Sequence, residues 1–310
     1  MKMTRRDVLG AATGLAVAAR FGAIDPARGA GPTPSAIPPG EAREARTPDG
    51  LRLSVRVYGD PARPEILFLH GLNQCRLSWD RQVGALAGRF RVVTFDLRGH
   101  GDSDKPADEA AYWDGGRWAD DVAAVVDAAG LRRPTLVGWS IGGLVVGHYL
   151  ARHGHGRVAG VNLVNAVTKQ AAELLGEAAN DFAPKLGSPD LAVRARATAD
   201  FLAVCFAEAP PRDEFARMLA YNGMAPAALQ RGILPISGGE KLDEAWAGVA
   251  RLLVTYGARD VLTRPAMSER LLGLNPRARL STYPEAGHSP FYEDAARFNR
   301  ELADFAAGSA

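Results

Sequence analysis

Residues 138–142 (GWSIG) place a serine between two glycines, directly after a short apolar run at 135–137. A G-x-S-x-G pattern between a buried strand and a helix imposes a tight turn, in which the serine adopts strained backbone angles. The glycines lack a Cβ, so neighbouring backbone can approach the turn closely. The pattern therefore predicts a nucleophilic Ser140 whose hydroxyl lies at a helix N-terminus, where developing negative charge is stabilised.

A carboxylate that could support such a serine is Asp260, which follows the apolar run at 252–256. The carboxyl ends of parallel strands meet at one edge of a sheet, so Asp260 is expected at the same edge as Ser140. The acid can also follow another strand, and the obvious alternative position comes after the run at 161–164. Asn165 occupies that position and cannot supply a carboxylate, which favours Asp260.

A general base is the third residue type that is needed. His288 lies in the segment 286–290 (AGHSP), after a strand expected around 279–283. The chain order Ser140, Asp260, His288 is the order used by hydrolases that have this serine turn. In such a triad the histidine removes the serine proton, and the aspartate holds the imidazole in the correct tautomer. We therefore predict these three residues as the catalytic set.

Backbone N–H groups that could bind an oxyanion are expected from two places. Residues 70–72 (HGL) directly follow the apolar run at 66–69, and Gly71 lets the backbone turn inward there. The Leu72 N–H could then join the N–H of Ile141 as an oxyanion hole. Such a hole would stabilise the charge that develops on an ester carbonyl during attack.

The remaining histidines and loop carboxylates are expected to be structural or exposed. His70 and His100 are predicted to connect loops by hydrogen bonds. Three more histidines, on or after the helix behind the serine, are expected at the surface: His148, His153 and His155. Asp102 and Asp104 are interpreted as loop carboxylates and stay open as less favoured alternatives for the acid.

Short, continuously apolar runs alternate with helical patterns along the chain. The runs lie at 66–69, 92–95, 135–137, 161–164 and 252–256. Runs without polar alternation are typical of strands buried on both faces, as in a parallel sheet covered by helices. Residues 51–58 alternate like a half-buried antiparallel edge strand. Helical periodicity is found at 118–129, 141–153, 265–274 and 294–305. The sequence therefore predicts a doubly wound α/β sheet.

The stretch 167–247 has no strong strand pattern and is Ala-rich, helical and interrupted by prolines. It is too long for a loop in a compact domain, so we interpret it as a helical cap over the ligand-binding edge of the sheet. The pocket beneath it is expected to be apolar, with Trp139, Leu262 and Phe291 as substrate contacts. Other candidates for its lining are Leu72, Phe182, Phe201, Phe206, Met218, Tyr221 and Met224. No Arg or Lys in the motifs is placed to bind a charged substrate.

The N-terminal segment 1–30 has a pattern that predicts an export signal. Arg5 and Arg6 precede a twelve-residue apolar stretch at 8–19, shorter than the about 20 residues that span a bilayer. The pattern resembles a twin-arginine (Tat) signal peptide, which implies transient contact with the Tat export machinery. A periplasmic or secreted enzyme without stable membrane insertion is therefore expected, and a mildly basic extension is the alternative. The further predicted boundaries are a Pro/Gly-rich linker at 31–44, the α/β core at 45–166 and 248–310, and the cap at 167–247.

Composition narrows the function classes. The chain has 37 basic and 35 acidic residues, is 47% hydrophobic and 23% charged, and so is not disordered or fibrous. Without a basic excess or a Lys/Arg cluster, no nucleic-acid partner is expected. Cys75 and Cys205 permit one disulfide in an exported chain, but isolated buried thiols are commoner. The sequence has no metal-ligand motif, so no metal site and no cofactor are predicted.

These motifs, in this order, resemble the α/β-hydrolase fold serine hydrolases over residues 45–308. Residues 96–106 (DLRGHGDSDKP) resemble the D-x-R-G-x-G-x-S loop of that superfamily, and 287–293 (GHSPFYE) resemble its histidine loop. Residues 137–143 (VGWSIGG) and 151–154 (ARHG) are most similar to cofactor-free esterases often described as haloperoxidases or perhydrolases.

The resemblance implies a serine hydrolase that cleaves a carboxylic ester of a small, largely hydrophobic substrate through an acyl-enzyme on Ser140. A serine at this turn argues against haloalkane dehalogenases and epoxide hydrolases, which use an aspartate there. Other acyl chemistry on the same triad stays open: peroxyacid formation, lactone opening, amide or iminopeptide cleavage, or C–C bond hydrolysis. The alternative to an enzyme is a protein of this fold that binds a ligand without catalysing a reaction.

Overall fold

Strands from the whole length of the core form one central sheet in this computed structural model, which describes residues 37–233, 236 and 239–308. The sheet has eight strands among these residues, in the order β1-β2-β4-β3-β5-β6-β7-β8. From β4 to β8 all neighbours are parallel, whereas β2 is antiparallel to β4 and β1 to β2. The strands are β1 (Glu41–Arg46), β2 (Arg52–Tyr58), β3 (Glu65–Leu69), β4 (Arg91–Phe95), β5 (Thr135–Trp139), β6 (Gly160–Val164), β7 (Leu252–Gly257) and β8 (Arg279–Tyr283).

Helices cover both faces of this sheet. They are α1 (Asp80–Leu86), α2 (Gly115–Ala128), α3 (Ile141–His153), α4 (Glu177–Leu186), α5 (Leu191–Val204), α6 (Arg212–Asn222), α7 (Ala227–Ile233), α8 (Gly239–Ala247), α9 (Pro265–Leu274), α10 (Pro290–Glu293) and α11 (Ala295–Ala306). Along β3, Leu67 and Leu69 pack toward α2 and α3, while Ile66 and Phe68 pack toward α1 and α11. Both sets are fully buried, which is why residues 66–69 are continuously apolar. The predicted doubly wound α/β fold is confirmed.

The first strand lies partly where a linker was expected. β1 begins at Glu41, inside the 31–44 stretch, and pairs with β2 along its whole length. Its four charged side chains are exposed or half-buried, and only Ala45 is fully buried. An edge strand needs few buried side chains, and charged ones protect its free edge, so the apolar pattern that marks the inner strands is missing here.

The stretch 167–247 contains α4 to α8 and no strand among its described residues. Helices α4 to α6 pack largely against one another in clusters that include Phe201 and Met218. In contrast, α8 packs on α3, where Trp246 contacts Gly147 and joins the main core cluster. The last helix of this stretch therefore packs on the helices of the core. Helices α4 to α7 remain as the candidate cap, although α7 also contributes Leu229 and Ile233 to the main core cluster.

The loop 96–106 is held by a buried ion pair. The Arg98 guanidinium donates to both carboxylate oxygens of Asp121 at 2.6 and 2.7 Å, and neither side chain is exposed. Asp96 accepts from the N–H groups of Arg76 and Asp102 at 2.7 and 2.9 Å. These contacts give the loop a structural role, because they fix its path beneath the carboxyl edge of the sheet.

Two further predictions concern the cysteines and the N-terminal segment. Cys75 and Cys205 are buried free thiols in different packing clusters, and burial raises the pKa of Cys75 to about 12. The twin-arginine segment 1–30 lies outside the described residues. Within the described ranges, the helices are too short or too polar to cross a bilayer.

Candidate active site

Ser140 lies in the tight turn between β5 and α3. Its backbone angles are φ 55° and ψ −123°, a strained conformation for a residue with a Cβ. Close packing explains the flanking glycines: a Cβ at position 142 would lie 2.6 Å from the Leu69 carbonyl oxygen, and one at position 138 would lie 2.9 Å from the Gly142 carbonyl oxygen. The sequence pattern thus forms the predicted turn, with Ser140 before the first residue of α3.

Asp260 and His288 are in direct contact. His288 Nδ1 lies 2.8 Å from Asp260 Oδ2, and both side chains are almost completely buried. The same oxygen accepts from the Asn165 side-chain amide at 2.6 Å and from the Thr263 hydroxyl, while Oδ1 accepts from the Leu262 N–H at 2.7 Å. Every partner of this carboxylate is therefore a hydrogen-bond donor.

The surroundings of Asp260 favour its ionised form. Burial alone would raise the pKa of this carboxyl group. The charge of His288 and the hydrogen bonds from His288, Thr263 and Asn165 outweigh burial and hold the pKa below its ordinary value. The pair is thus a permanent carboxylate beside an imidazole.

The other nitrogen of His288 faces away from the carboxylate. Nε2 is buried and has no hydrogen-bond partner among the described residues. His288 and Ser140 both line one cavity at the carboxyl edge of the sheet. The histidine is held from behind, because the Trp139 indole N–H donates to the His288 carbonyl oxygen at 2.8 Å. An unpaired imidazole nitrogen that faces the same cavity as a serine hydroxyl is suited to accept the serine proton during attack.

The two predicted oxyanion donors lie in the same cavity wall as Ser140. Leu72 and Ile141 both line the cavity. The Ile141 N–H belongs to the first turn of α3 and so has no acceptor within the helix, and the Leu72 N–H has no protein acceptor among the described residues. Gly71 brings this loop close, since a Cβ there would lie 3.2 Å from Ser140 Cβ.

His70 and His100 support this loop from the core side. His70 Nε2 accepts from the Leu97 N–H at 3.0 Å, and His100 Nε2 accepts from the Asn73 N–H at 3.2 Å. Burial lowers the pKa of His70 to about 4 and that of His100 well below its ordinary value. Both rings are therefore neutral at neutral pH, and both act as acceptors for loop backbone.

The cavity is apolar apart from a few side chains. Its volume is about 100 Å³, which is small for a ligand site. His288 is its one ionisable lining side chain among the described residues. The remaining polar side chains besides Ser140 are Gln170, Gln230 and Thr263, and the larger apolar ones are Leu72, Ile141, Leu175, Phe182, Leu186, Phe201, Ile233 and Leu262.

The predicted substrate contacts have different positions. Leu262 lines the cavity, but Trp139 and Phe291 do not. They pack behind His288, with ring centroids 4.8 Å apart, and both are 2% exposed. Of the other candidates, Leu72, Phe182 and Phe201 line the cavity. Phe206, Met218 and Tyr221 pack in a separate cluster near Cys75, and Met224 is exposed.

Sequence reasoning missed the two glutamines and the donors to Asp260. Gln170 and Gln230 lie 60 positions apart in the chain and meet at the cavity only through the fold of the cap. Asn165 was considered only as a missing acid, yet its amide binds the carboxylate. Thr263 is three residues after Asp260, a spacing at which a hydroxyl can reach back to a turn carboxylate, and that was the available clue.

A second carboxylate joins the histidine loop to the cap. Glu293 accepts from the Gly287 N–H at 2.8 Å and from the Ala207 N–H at 2.7 Å. Gly287 lies so close to the cap that a Cβ there would be 2.6 Å from the Ala207 nitrogen. Burial raises the pKa of Glu293, although the backbone donors act in the opposite direction.

We expect Glu293→Ala to lower the free energy of unfolding by about 1–3 kcal/mol, because two backbone donors lose their acceptor. Urea unfolding measures this difference. The matched control is Glu285→Ala, which removes an exposed carboxylate paired with Arg259 and should change stability by less than about 0.5 kcal/mol. Equal effects of both variants would contradict a bridging role for Glu293.

Comparison with known proteins identifies the family. The sequence profile of the alpha/beta hydrolase fold matches residues 64–295, three quarters of the chain. The chain belongs to the α/β-hydrolase fold family. This α/β hydrolase is 30% identical over 267 residues to a pimeloyl-[acyl-carrier protein] methyl ester esterase of Neisseria meningitidis, an alignment that covers 79% of this chain and 93% of that one.

Other curated relatives match over a shorter stretch. A bifunctional esterase/perhydrolase of Acinetobacter calcoaceticus is 39% identical over 125 residues, 39% of this chain and 43% of the relative. The alignments with the first relatives thus span little more than two fifths of their length.

Solved structures cover more of this α/β hydrolase. A Burkholderia cenocepacia protein assigned as an aryl esterase superposes with a TM-score of 0.83 at 35% identity, covering 87% of this chain and 99% of the other. The esterase RhEst1 of a Rhodococcus species has a TM-score of 0.79 at 32% identity, covering 87% and 99%. The chain is therefore an α/β-hydrolase fold protein with esterases among its relatives, as the motifs predicted.

Proposed function

We propose that this hydrolase is a serine esterase that cleaves carboxylic esters of small, largely hydrophobic substrates through an acyl-enzyme on Ser140. The observation that carries the proposal is the Asp260–His288 contact of 2.8 Å, with the opposite imidazole nitrogen unpaired in the cavity that Ser140 lines. These are the parts that nucleophilic acyl transfer requires.

In the first half-reaction, Ser140 Oγ bonds to the ester carbonyl carbon while His288 Nε2 takes the hydroxyl proton. Asp260 stabilises the resulting imidazolium through Nδ1–H. The negative charge on the former carbonyl oxygen is accepted by the N–H groups of Leu72 and Ile141, each worth about 3 kcal/mol in such sites. The bond to the alcohol oxygen then breaks, and His288 returns the proton to the departing alcohol.

In the second half-reaction, water attacks the acyl carbon and gives one proton to His288. Collapse of this intermediate breaks the bond to Ser140 Oγ, which recovers its proton from the imidazolium. The products are one acid and one alcohol for each ester and water consumed. All proton transfers use His288, so the reaction balances without a cofactor.

The lining of the cavity supports a neutral, hydrophobic substrate. Its larger side chains are aliphatic or aromatic, and none of the described lining residues is an Arg, Lys, Asp or Glu. An acidic cap residue would be needed to bind the free amine of a peptide, but Glu208, Asp213 and Glu214 do not line the cavity. Glu214 instead pairs with Arg81 and accepts from the Tyr292 hydroxyl. Cleavage of peptides with a free N-terminus is therefore less favoured than ester cleavage.

Peroxyacid formation is a second candidate, favoured by the names of the partial-length relatives, an esterase/perhydrolase and a non-heme haloperoxidase of Rhodococcus erythropolis. It differs from hydrolysis only in the second half-reaction, where hydrogen peroxide replaces water. Peroxyacid yield in an ester assay with added peroxide distinguishes the two activities.

The experiment that tests the proposed function is labelling with a fluorophosphonate, followed by mass spectrometry of the peptides. We expect one adduct per chain, on the peptide that contains Ser140, and none on protein unfolded before the reaction. Turnover of a short-chain p-nitrophenyl ester should fall in proportion to labelling. An absence of labelling, or an adduct on another residue, would contradict the proposed nucleophile.

We also propose that Arg5 and Arg6 direct export through the Tat route, on the evidence of the sequence motif alone. The double variant Arg5→Lys, Arg6→Lys is expected to retain the full-length protein in the cytoplasm, because the export receptor recognises the arginines themselves and not only their positive charge. Cell fractionation with immunoblotting measures the distribution. Substitution of the equally basic Arg20 and Arg28 by lysine should leave it unchanged, and equal retention by both pairs would argue against the motif.

A further inference from the structure

The loop after β3, which contains Leu72, is held from the cap as well as from the core. The Gln230 side-chain amide of α7 donates to Asn73 Oδ1. The Gln74 side-chain amide donates to Asn222 Oδ1 of α6 at 3.4 Å. All four side chains are buried, with exposures of 5% or less. Two successive loop residues therefore each bond to an amide of the candidate cap.

The Gln230 contact falls on a strained residue. Asn73 has φ 61°, in the left-handed region that residues with a Cβ rarely occupy. Such a conformation persists when its surroundings hold it in place. Here the core holds the backbone, through the Asn73 N–H and His100 Nε2, and the cap holds the side chain, through Gln230. Without Gln230, Asn73 loses its side-chain bond to the cap and keeps only its backbone bond to His100.

We propose that Gln230 is a positioning residue that couples the seating of the cap to the geometry of the oxyanion hole. The proposal rests on the proposed function, since it assigns the Leu72 N–H to the oxyanion. When α7 is seated, Gln230 fixes Asn73 and thereby the direction of the adjacent Leu72 N–H. When α7 moves away, the Leu72 donor loses its alignment while Ser140, Asp260 and His288 keep theirs.

Gln230 also lines the cavity, so a direct contact with substrate is the competing explanation. The chain offers a matched comparison in Gln170, a second cavity glutamine whose amide donates to the Ile233 carbonyl oxygen at 3.0 Å. Ile233 is the last residue of α7, so Gln170 bonds to the same helix but not to the loop after β3. A change of glutamine to methionine at either position removes the same amide from the same cavity, but only one of the two changes releases Asn73.

The measurement is kcat and KM for an ester, together with the affinity for a trifluoromethyl ketone whose tetrahedral adduct places an oxyanion in the hole. For Gln230→Met we expect kcat to fall roughly tenfold, a fraction of the loss on deleting a whole donor. KM should change less than about twofold, and ketone affinity should fall in step with kcat/KM. For Gln170→Met, KM should rise and the ratio of ketone affinity to ester affinity should be retained.

Three outcomes are distinguishable. The positioning role would be overturned if the ratio of ketone affinity to ester affinity changed equally in both glutamine variants. It would also be overturned if the effect of Gln230→Met were confined to KM. If Gln230→Met does not fold, Gln230→Asn, whose amide is one methylene too short to reach Asn73, answers the same question. Failure of the wild-type protein to form a ketone adduct on Ser140 would instead refute the proposed function itself.

Discussion

Replacement of Ser140 by alanine is expected to lower kcat for an activated ester by about 10⁵-fold or more, with no change in the free energy of unfolding beyond about 0.5 kcal/mol. Activity depends on Oγ, which forms the bond to the acyl group. Stability does not, because alanine keeps the Cβ and the strained φ of 55°, and no protein hydrogen bond of Oγ is present among the described residues. Steady-state kinetics and urea unfolding measure the two quantities.

Ser289→Ala is the matched control. Ser289 is also a buried serine beside the candidate base, and its hydroxyl has no hydrogen-bond partner in the described part of the chain. Loss of that hydroxyl should therefore leave both kcat and stability close to those of the wild-type protein. Residual turnover above about one per cent in Ser140→Ala, at unchanged KM, would indicate a different nucleophile.

The elements nearest the reaction were predictable because their causes are local. A strand buried on both faces is mainly apolar, and β3 to β7 share this pattern. Some of their few buried polar side chains pair with one another, as when the Thr255 hydroxyl donates to Asn162 Oδ1. The serine turn needs glycines where backbone passes within 3 Å, and Gly138 and Gly142 are recognisable from spacing alone. Asp260 and His288 follow strands, so the topology that brings strand ends together also brings these two residues into contact.

The pocket was harder to predict, because its walls come from distant parts of the chain. Trp139 was expected to contact substrate because it adjoins Ser140. Side chains alternate along β5, however, and Trp139 shares a face with Val137, toward Phe291 and α11. Gln170 and Gln230 meet the site only when the cap folds over it. Nothing in the local sequence determines which cap residue reaches which loop.

The cap boundary shows the same limit. Prolines and alanines identified the stretch 167–247 as helical, but could not show that α8 packs on α3 of the core rather than in the cap. That assignment depends on Trp246, which fits over Gly147 on α3 and donates to the Thr168 carbonyl oxygen at 3.4 Å. A buried tryptophan is compatible with either location, and only the tertiary contact decides between them.

The second large effect is expected for Asp260→Asn, which should lower kcat by about 10⁴-fold while the protein stays folded. All neighbours of this carboxylate are donors, so an amide NH₂ group in its place must face a donor. At the Oδ1 position it would oppose the Leu262 N–H, and at the Oδ2 position it faces His288 Nδ1. The second arrangement puts the imidazole proton on Nε2, where it blocks proton transfer from Ser140.

The pH dependence of activity distinguishes a wrong tautomer of His288 from the loss of a group that titrates in the assayed range. The pKa of Asp260 in the folded protein lies below its ordinary value. The stability that the ionised carboxylate contributes is therefore fully present above the ordinary pKa, and it is lost as the pH falls through the folded-state pKa. Wild-type activity between about pH 5 and 9 therefore contains no titration of Asp260, and the deficit of Asp260→Asn should persist over this whole range.

Asp102→Asn is the control for this variant, because Asp102 is one of the two loop carboxylates that the sequence left open as an acid. Its side chain is 60% exposed and pairs with Arg76 at 2.9 Å at the surface, so kcat should stay within about twofold of wild type. Retention of more than about a tenth of the activity in Asp260→Asn, or a larger loss in Asp102→Asn, would indicate that another residue is the acid of the triad. A 10⁴-fold loss confined to Asp260→Asn would establish that the donor-lined carboxylate sets the tautomer of His288.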